Sequence, residues 1–356
     1  MDTFSVPCAR CAEFTKRFED EGFTVHSCDP DPQKVGMCVL TFDRPATIKA
    51  TAGVPAGDLA ASATPAAGAA KSAKAKAASA PGTAAPAAAT SAMRRFVNVK
   101  ALNLRSTPIA SSPANVLQTL SLGQTVELVG DQQSGWWPVH FTNGNEHGFV
   151  KALIDDENGI GTPSLRTPVA EPREALVAEA VRQWELFKFG QGKETVAPFF
   201  TMIGDMWAAI KLPHDGRDDI PWSAAAISFM VRQAAVNHSV YKKFKFAASH
   251  SKYIHDAIIK VGQAGAPFQG FRLFEHKPQL GDLVARSREG AITFEQAAAS
   301  DAFKSHTDII VAVHADAVYA IGGNVSDSVS VTRYPKTESG HLSDAGGVFA
   351  LLANSA

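Results

Sequence analysis

The chain has 356 residues, 45% of them hydrophobic, and a formal net charge of -1 at pH 7. It is therefore long and apolar enough to bury the cores of roughly two or three domains, which excludes a wholly disordered protein. The near-zero charge excludes a general nucleic-acid binder, because affinity for phosphates needs a basic surplus.

Two features of the sequence bear on location. No run approaches the roughly 18 to 20 apolar residues that cross a bilayer. The first residues, MDTFSVPCAR, lack the basic and apolar regions of a signal peptide. We therefore expect a protein without a membrane span that is made in the cytoplasm without a Sec signal.

Residues 1–45 are predicted to form a small module that contains all the cysteines, Cys8, Cys11, Cys28 and Cys38. A helix is expected in CAEFTKRFEDEG, and two strands are expected in FTVHSC and GMCVLTF. Cys8 and Cys11 have the spacing of a zinc-binding pair, but Cys28 and Cys38 are too far apart in sequence to form the usual second pair. Zinc, a disulfide and free thiols therefore remain alternatives. We expect no cofactor, with these cysteines as weak candidates for a metal site.

Residues 46–93 consist largely of Ala, Pro, Gly, Ser and Thr. Prolines break helices, and almost no large apolar side chain is present to form a core. The composition predicts a disordered, flexible linker between the N-terminal module and the rest of the chain.

Residues 94–155 alternate apolar and polar residues over short segments separated by turns. That pattern predicts a small, antiparallel, all-β barrel. The order LNLRSTP, LSLGQTV, GWW and GFV resembles the bacterial SH3 domain, and the resemblance spans the whole segment. Because such domains often hold wall hydrolases on peptidoglycan, the resemblance implies wall binding. Trp136 and Trp137 are candidates for stacking against this ligand, although one of the two is expected in the core.

A second linker is predicted at residues 156–170, before a domain at residues 171–353. The segments EPREALVAEAVRQWELF, FTMIGDMWAAI and PWSAAAISFMVRQA have the periodicity of helices. Later segments such as TDIIVAVHADAVYAIGGN alternate and are rich in β-branched residues, as strands are. Helices followed by an antiparallel sheet indicate an α+β domain, so the whole chain is predicted to be an α+β multidomain protein.

The C-terminal motifs resemble those of cell-wall hydrolases. PWSAAAISFM, KPQLGDLVAR, SHTDIIVAV and YAIGGNVSDSV follow one another in the order of the papain-like fold of CHAP and NlpC-type enzymes. Residues 171–353 also resemble the bacterial domain-of-unknown-function 2272 family. The papain-like resemblance implies that Ser223 is the nucleophile, His306 the general base and Asn324 the residue that orients the imidazole. Ser223 stands where the papain-like enzymes have cysteine.

The chemistry of acyl transfer explains why these residue types matter. A nucleophile attacks the amide carbon, a base moves its proton to the leaving amine, and a third group fixes the tautomer of the base. Asp308 is two residues from His306 on a predicted strand, so their side chains share a face and Asp308 is a second candidate for the third role. The alternative for Ser223 is an ordinary helix cap, because serine is a favoured N-cap residue.

Three further residues are candidates for lining a substrate cleft. Trp222 precedes Ser223, and His250 and Tyr253 are one helical turn apart in FAASHSKYIHDAI. Each has an alternative place in the core, Trp222 as a buried ring and the other two as a hydrogen-bonded pair.

Together these patterns predict a peptidoglycan-targeting amidase or endopeptidase with an SH3-like wall-binding module. The expected partners are peptidoglycan or its peptides and, for a secreted antibacterial effector or a lysis enzyme, a secretion apparatus or an immunity protein. The expected site of action is the periplasm or cell wall after non-Sec delivery. One alternative is a non-catalytic protein that binds peptidoglycan or another protein through a degenerate papain-like site. Another is a cytoplasmic regulator whose cysteines sense metal or redox state.

Overall fold

The chain forms two units, Met1–Ala87 and Ala88–Ala356. The computed structural model describes residues 2–7, 11–20, 24–30, 37–43, 93–155 and 161–356. The predicted linker at 46–93 lies outside these residues, apart from Met93. None of the helices in the described ranges is long and apolar enough to cross a membrane.

The first unit contains one helix and a three-stranded antiparallel sheet. Its elements are β1 (Asp2–Pro7), α1 (Cys11–Asp20), β2 (Thr24–Pro30) and β3 (Met37–Asp43). The strand order is β1-β3-β2. The helix and the last two strands overlap the predicted ones, whereas β1 was not predicted.

Three cysteine sulfurs come together in this first unit. Cys11 begins α1, Cys28 lies in β2 and Cys38 lies in β3, and their Sγ atoms are within 4.8 Å of one another. Cys11 and Cys28 form a disulfide, and Cys8 lies outside the described residues. Because so small a module buries little apolar surface, a covalent link between helix and sheet offsets part of its chain entropy.

The second unit begins with a seven-stranded antiparallel sheet. Its strands are β4 (Arg94–Val97), β5 (Ala101–Arg105), β6 (Val116–Ser121), β7 (Thr125–Leu128), β8 (Trp136–Phe141), β9 (Glu146–Lys151) and, after the short pair β10 (Leu153–Asp155) and β11 (Gly161–Pro163), β12 (Leu165–Arg166). The order is β12-β4-β7-β8-β9-β5-β6. Alternation along β5 directs Leu102 and Leu104 into a core that also contains Val139 of β8.

Part of the segment predicted as a linker, 156–170, belongs to these sheets. Strand β11 pairs with β10, and β12 pairs with β4. The side-chain amide of Asn98 donates to the carbonyl of Pro163 at 3.0 Å, and the guanidinium of Arg166 lies 4.3 Å over the ring of Phe96. These contacts give residues 161–166 a fixed path that hydrophobic periodicity alone does not reveal.

Five helices and a six-stranded antiparallel sheet form the rest of the unit. The helices are α2 (Glu171–Leu186), α3 (Phe199–Ala208), α4 (Ser223–Asn237) and α5 (His250–Ile259). The strands are β13 (Phe268–Phe271), β14 (Leu283–Ser287), β15 (Ser305–Val313), β16 (Ala317–Gly322), β17 (Ser330–Pro335) and β18 (Val348–Asn354), with α6 (Phe294–Ala299) between β14 and β15. The sheet order is β13-β18-β14-β15-β16-β17. Helices precede the main sheet, as the sequence predicts.

Strand β15 lies inside the sheet and is buried on both faces. Ile309 and Val311 pack into the core that contains the helices. Ile310 packs into a second core on the other face, together with Tyr334 of β17. Because successive side chains of a strand point to opposite faces, the parity of a β15 residue decides whether it meets the helices.

The seven-stranded sheet packs directly against the C-terminal domain. A β-carbon at Gly123 would collide with the side chain of Val181 in α2. In a second contact, the Nε2 atom of His314 lies 2.5 Å from the carbonyl oxygen of Asn98. The two parts of this unit therefore share an interface.

Candidate active site

Ser223 is the first residue of α4, and its side chain points to an imidazole. Its Oγ atom lies 2.7 Å from Nε2 of His250. Trp222 occupies the N-cap position and makes no side-chain capping bond. Among the described residues, the hydrogen bond of the Ser223 side chain therefore goes to His250 and not to the helix backbone.

Two hydroxyl groups hold the other nitrogen of His250. Its Nδ1 atom lies 2.9 Å from Oγ1 of Thr307 and also contacts the hydroxyl of Tyr253. The Tyr253 hydroxyl is 2.9 Å from the same Thr307 oxygen. Tyr253 follows His250 by one turn of α5, and Thr307 lies on the helix side of β15 with Ile309. These contacts fix the orientation of the imidazole.

Burial controls the protonation of His250 and Tyr253. Burial lowers the pKa of His250 well below its ordinary value of 6.5, and the nearby His306, Arg288 and Arg286 shift it in the same direction. Burial also raises the pKa of Tyr253 well above 10.0. His250 is therefore a neutral imidazole near pH 7, and Tyr253 keeps its proton.

A second buried histidine is held by a carboxylate. Nε2 of His306 lies 2.8 Å from Oδ1 of Asp308, and the hydroxyl of Tyr334 donates to Oδ2 of Asp308. Burial alone would raise the pKa of Asp308, but the neighbouring His306 and the hydrogen bonds from His306 and Tyr334 outweigh burial and lower it. A β-carbon at Gly322 would overlap Oδ1 of Asp308, so a glycine is required there.

The two histidines are neighbours, but their contacts differ. Their ring centroids lie 5.0 Å apart. His306 has the parity of Ile310 on β15, whereas Thr307 faces the helices. In the described ranges Ser223 and His306 share no hydrogen bond, and Nδ1 of His306 is buried without a partner.

Asn324, expected to orient His306, lies in the turn after β16 with a left-handed φ of 53°. The described residues offer its side chain no hydrogen bond, and Asp308 occupies the place beside His306. Of the two candidates for that position, the geometry brings Asp308 and not Asn324 to the imidazole.

Two of the three candidate tryptophans lie in cores. Trp222 is 1% exposed, and its indole donates to Oε2 of Glu194 at 2.6 Å. Trp136 is also buried. Trp137 is half-buried and packs against the core of the seven-stranded sheet.

Sequence reasoning missed Thr307 and Tyr334. Thr307 is two residues from Ile309 on β15, so the two side chains share a face. Because Ile309 packs in the core that contains the helices, this alternation would have placed Thr307 on the helix side. Tyr334 reaches Asp308 from another strand, so its role depends on a register that periodicity does not supply.

A comparison with protein families finds a match, and it lies in the C-terminal domain. Residues 180–351, just under half of the chain, match the family described as "Uncharacterized protein conserved in bacteria (DUF2272)". A search of curated proteins found no matching sequence.

Two solved structures from Trichomonas vaginalis show a weak overall likeness. NlpC2 is 9% identical, with a TM-score of 0.23 over 70% of this chain and 71% of that chain. NlpC1 is 8% identical, with a TM-score of 0.23 over 70% of this chain and 67% of that chain.

Proposed function

We propose that the C-terminal domain hydrolyses amide bonds in peptidoglycan peptides, with Ser223 as nucleophile and His250 as general base. The observation that carries this proposal is the 2.7 Å contact between Oγ of Ser223 and Nε2 of His250. A neutral imidazole accepts the serine proton at Nε2 when Nδ1 carries the ring proton and donates it to Thr307. Because burial lowers its pKa, His250 is neutral near pH 7, and its Nε2 is then free to accept a proton.

The reaction has two balanced halves. Oγ of Ser223 attacks the amide carbon while its proton passes to His250, and the imidazolium gives that proton to the leaving amine. Water then attacks the resulting ester, His250 takes a proton from the water, and Ser223 regains its hydroxyl as the acid leaves. The first backbone N–H groups of α4 have no acceptor within the helix, so they are suited to bind the oxyanion.

Peptidoglycan as the substrate is supported by the two sequence resemblances. Residues 94–155 resemble the bacterial SH3 domain, and the C-terminal motifs resemble CHAP and NlpC-type wall hydrolases. On this proposal the protein acts in the periplasm or cell wall, as an effector or a lysis enzyme. Its partners are then wall peptides, with a secretion apparatus or an immunity protein.

Digestion of purified sacculi tests the proposal. The wild-type chain should release peptide fragments that mass spectrometry identifies, and Ser223→Ala should release none above background. Ser228→Ala is the matched control, because Ser228 is also buried in α4 and bonds to the backbone of Ala247. Equal release by the wild type and Ser223→Ala would overturn the proposal.

A second candidate function is non-catalytic binding of wall peptides. The observation that favours it is burial, because Ser223 is 2%, His250 4% and Thr307 0% exposed. Substrate must then displace covering groups before it meets the serine. If binding is the whole function, Ser223→Ala should pellet with sacculi as the wild type does, while Trp137→Ala should not.

A further inference from the structure

Three cysteine side chains of the first unit converge on one face of its sheet. Strand β3, the middle strand, carries Cys38. On β2, Cys28 pairs with Leu40, which is two residues from Cys38, so the two cysteines are diagonal neighbours on the same face. Cys11, at the start of α1, completes the group, and the three Sγ atoms lie within 4.8 Å of one another. One helix and two strands therefore each bring one sulfur to the same point.

The spacing of these sulfurs suits a metal ion with thiolate ligands. In a tetrahedral zinc site each Zn–S bond is about 2.3 Å long, which puts the sulfurs about 3.8 Å apart. Separations of up to 4.8 Å become such a site through small rotations of the side chains. Cys38 is 5% exposed, whereas Cys11 and Cys28 are half-buried, so the fold shields the group and still leaves access for an ion.

Disulfide bonds alone do not require this convergence. Cys11 and Cys28 form one disulfide, and Cys38 is disulfide-bonded as well. A disulfide needs only its own two sulfurs to be close, so two such bonds can lie anywhere in a module. A metal ion, in contrast, needs all of its ligands at one point. The meeting of sulfurs from two different disulfides is thus the property of a metal site.

We infer that Cys11, Cys28 and Cys38 bind one Zn²⁺ ion as thiolates when their disulfides are reduced. Thiolates are soft ligands that select zinc over hard cations such as Mg²⁺ and Ca²⁺. Water or a further donor takes the fourth position of the tetrahedron. The ion then joins α1 to the sheet in place of the disulfide, so this small module keeps a cross-link in both states. The inference does not depend on the proposed function.

The exchange between the two states balances with a dithiol as the reductant. Each disulfide takes up two electrons and two protons and gives two thiols, while the dithiol becomes a disulfide. Zn²⁺ then displaces one proton from each thiol that it binds. The same cysteines therefore hold zinc in a reducing compartment and form disulfides in an oxidising one.

Metal retention by the full chain tests this inference. The chain is reduced under nitrogen with a phosphine, because a dithiol would itself bind zinc, and it is then given Zn²⁺ and freed of unbound metal by gel filtration. Elemental mass spectrometry should find about one zinc per chain. Competition with a chromophoric chelator should show at least about 10-fold weaker binding for Cys11→Ser, Cys28→Ser and Cys38→Ser, because even the loss of an outer-shell partner costs about that much.

The matched control is His26→Ala. His26 is a potential zinc ligand that is exposed on β2 but lies outside the group of three sulfurs, so its loss should leave zinc retention unchanged. Co²⁺ in place of Zn²⁺ should give the charge-transfer bands of thiolate ligands in the reduced wild type, which a change in folding alone does not produce. The oxidised wild type should retain no zinc. Absence of zinc from the reduced wild type, or equal retention by its reduced and oxidised forms, would overturn the inference.

Discussion

Oγ of Ser223 lies 2.7 Å from Nε2 of His250, although 27 positions separate the two residues in sequence. Each residue begins a helix, α4 for Ser223 and α5 for His250. Both helices pack on β15, where Thr307 meets the other side of the imidazole. Ser223 and His250 therefore meet because both helices begin beside the same strand.

Replacing Ser223 with cysteine tests whether this site is built for an alcohol. The contact with His250 has the length of an O–H···N hydrogen bond, and Ser223 is only 2% exposed. A larger sulfur atom must push its neighbours apart, so Ser223→Cys should lower release from sacculi by about 10-fold or more. Ser228→Cys, at an equally buried position of α4, should leave the release unchanged. Higher release by Ser223→Cys would mean that the site is a degenerate thiol enzyme.

The tautomer of His250 decides whether it can act as the base. The base role requires the ring proton on Nδ1, donated to Thr307, with Nε2 free to accept the serine proton. We expect long-range proton–nitrogen NMR correlations of the labelled chain near neutral pH to show a protonated Nδ1. Thr307→Val removes that acceptor and should lower kcat about 10- to 100-fold with little change in KM. A proton found on Nε2 would make His250 a donor to Ser223 and rule out the base role.

The lowered pKa of His250 predicts loss of stability in mild acid. In the unfolded chain His250 takes up a proton near pH 6.5, whereas in the folded chain it takes one up only at a lower pH. The unfolded state then binds more protons, so the free energy of unfolding falls below that pH, by up to about 1.4 kcal/mol per unit from this residue. Asp308 also has a lowered pKa, but its contribution is lost only near and below its ordinary value of 3.8, at more acidic pH.

Urea unfolding at several values between about pH 7 and pH 5 measures this effect. His250→Gln should make the pH dependence shallower. The control is His147→Gln, because His147 is exposed on the seven-stranded sheet. An identical slope in the wild type and His250→Gln would contradict the assignment.

The sequence predicts the elements of the C-terminal domain better than it predicts the contacts of its side chains. The segment PWSAAAISFM has the periodicity of a helix, and TDIIVAVH has the alternation of a strand. Both are local signals, and α4 and β15 form at these two segments. Alternation also puts His306 and Asp308 on one face, in agreement with their 2.8 Å contact. The face itself is not predictable, because β15 is apolar on both sides.

The partner of Ser223 is a tertiary property. The resemblance in motif order implies His306 as the partner of Ser223. Because side chains alternate along β15, Thr307 and not His306 faces the helices. His250 reaches Ser223 because α5 begins beside that threonine. The periodicity of FAASHSKYIHDAI does not specify that contact, because the contact depends on how α4 and α5 pack against β15.

Gly322 offers a test of the buried His306–Asp308 pair. It ends β16, and a β-carbon there would overlap Oδ1 of Asp308 and lie 3.1 Å from Nε2 of His306. Gly322→Ala must therefore move a buried carboxylate away from two hydrogen-bond donors. We expect a loss of about 3 kcal/mol or more in the free energy of unfolding.

Gly204→Ala is the control, because Gly204 lies inside α3 with its nearest neighbour 3.5 Å from the new carbon. Alanine should stabilise that helix by about 1 kcal/mol. If chemical denaturation finds Gly322→Ala as stable as the wild type, Asp308 does not hold His306 in the way described.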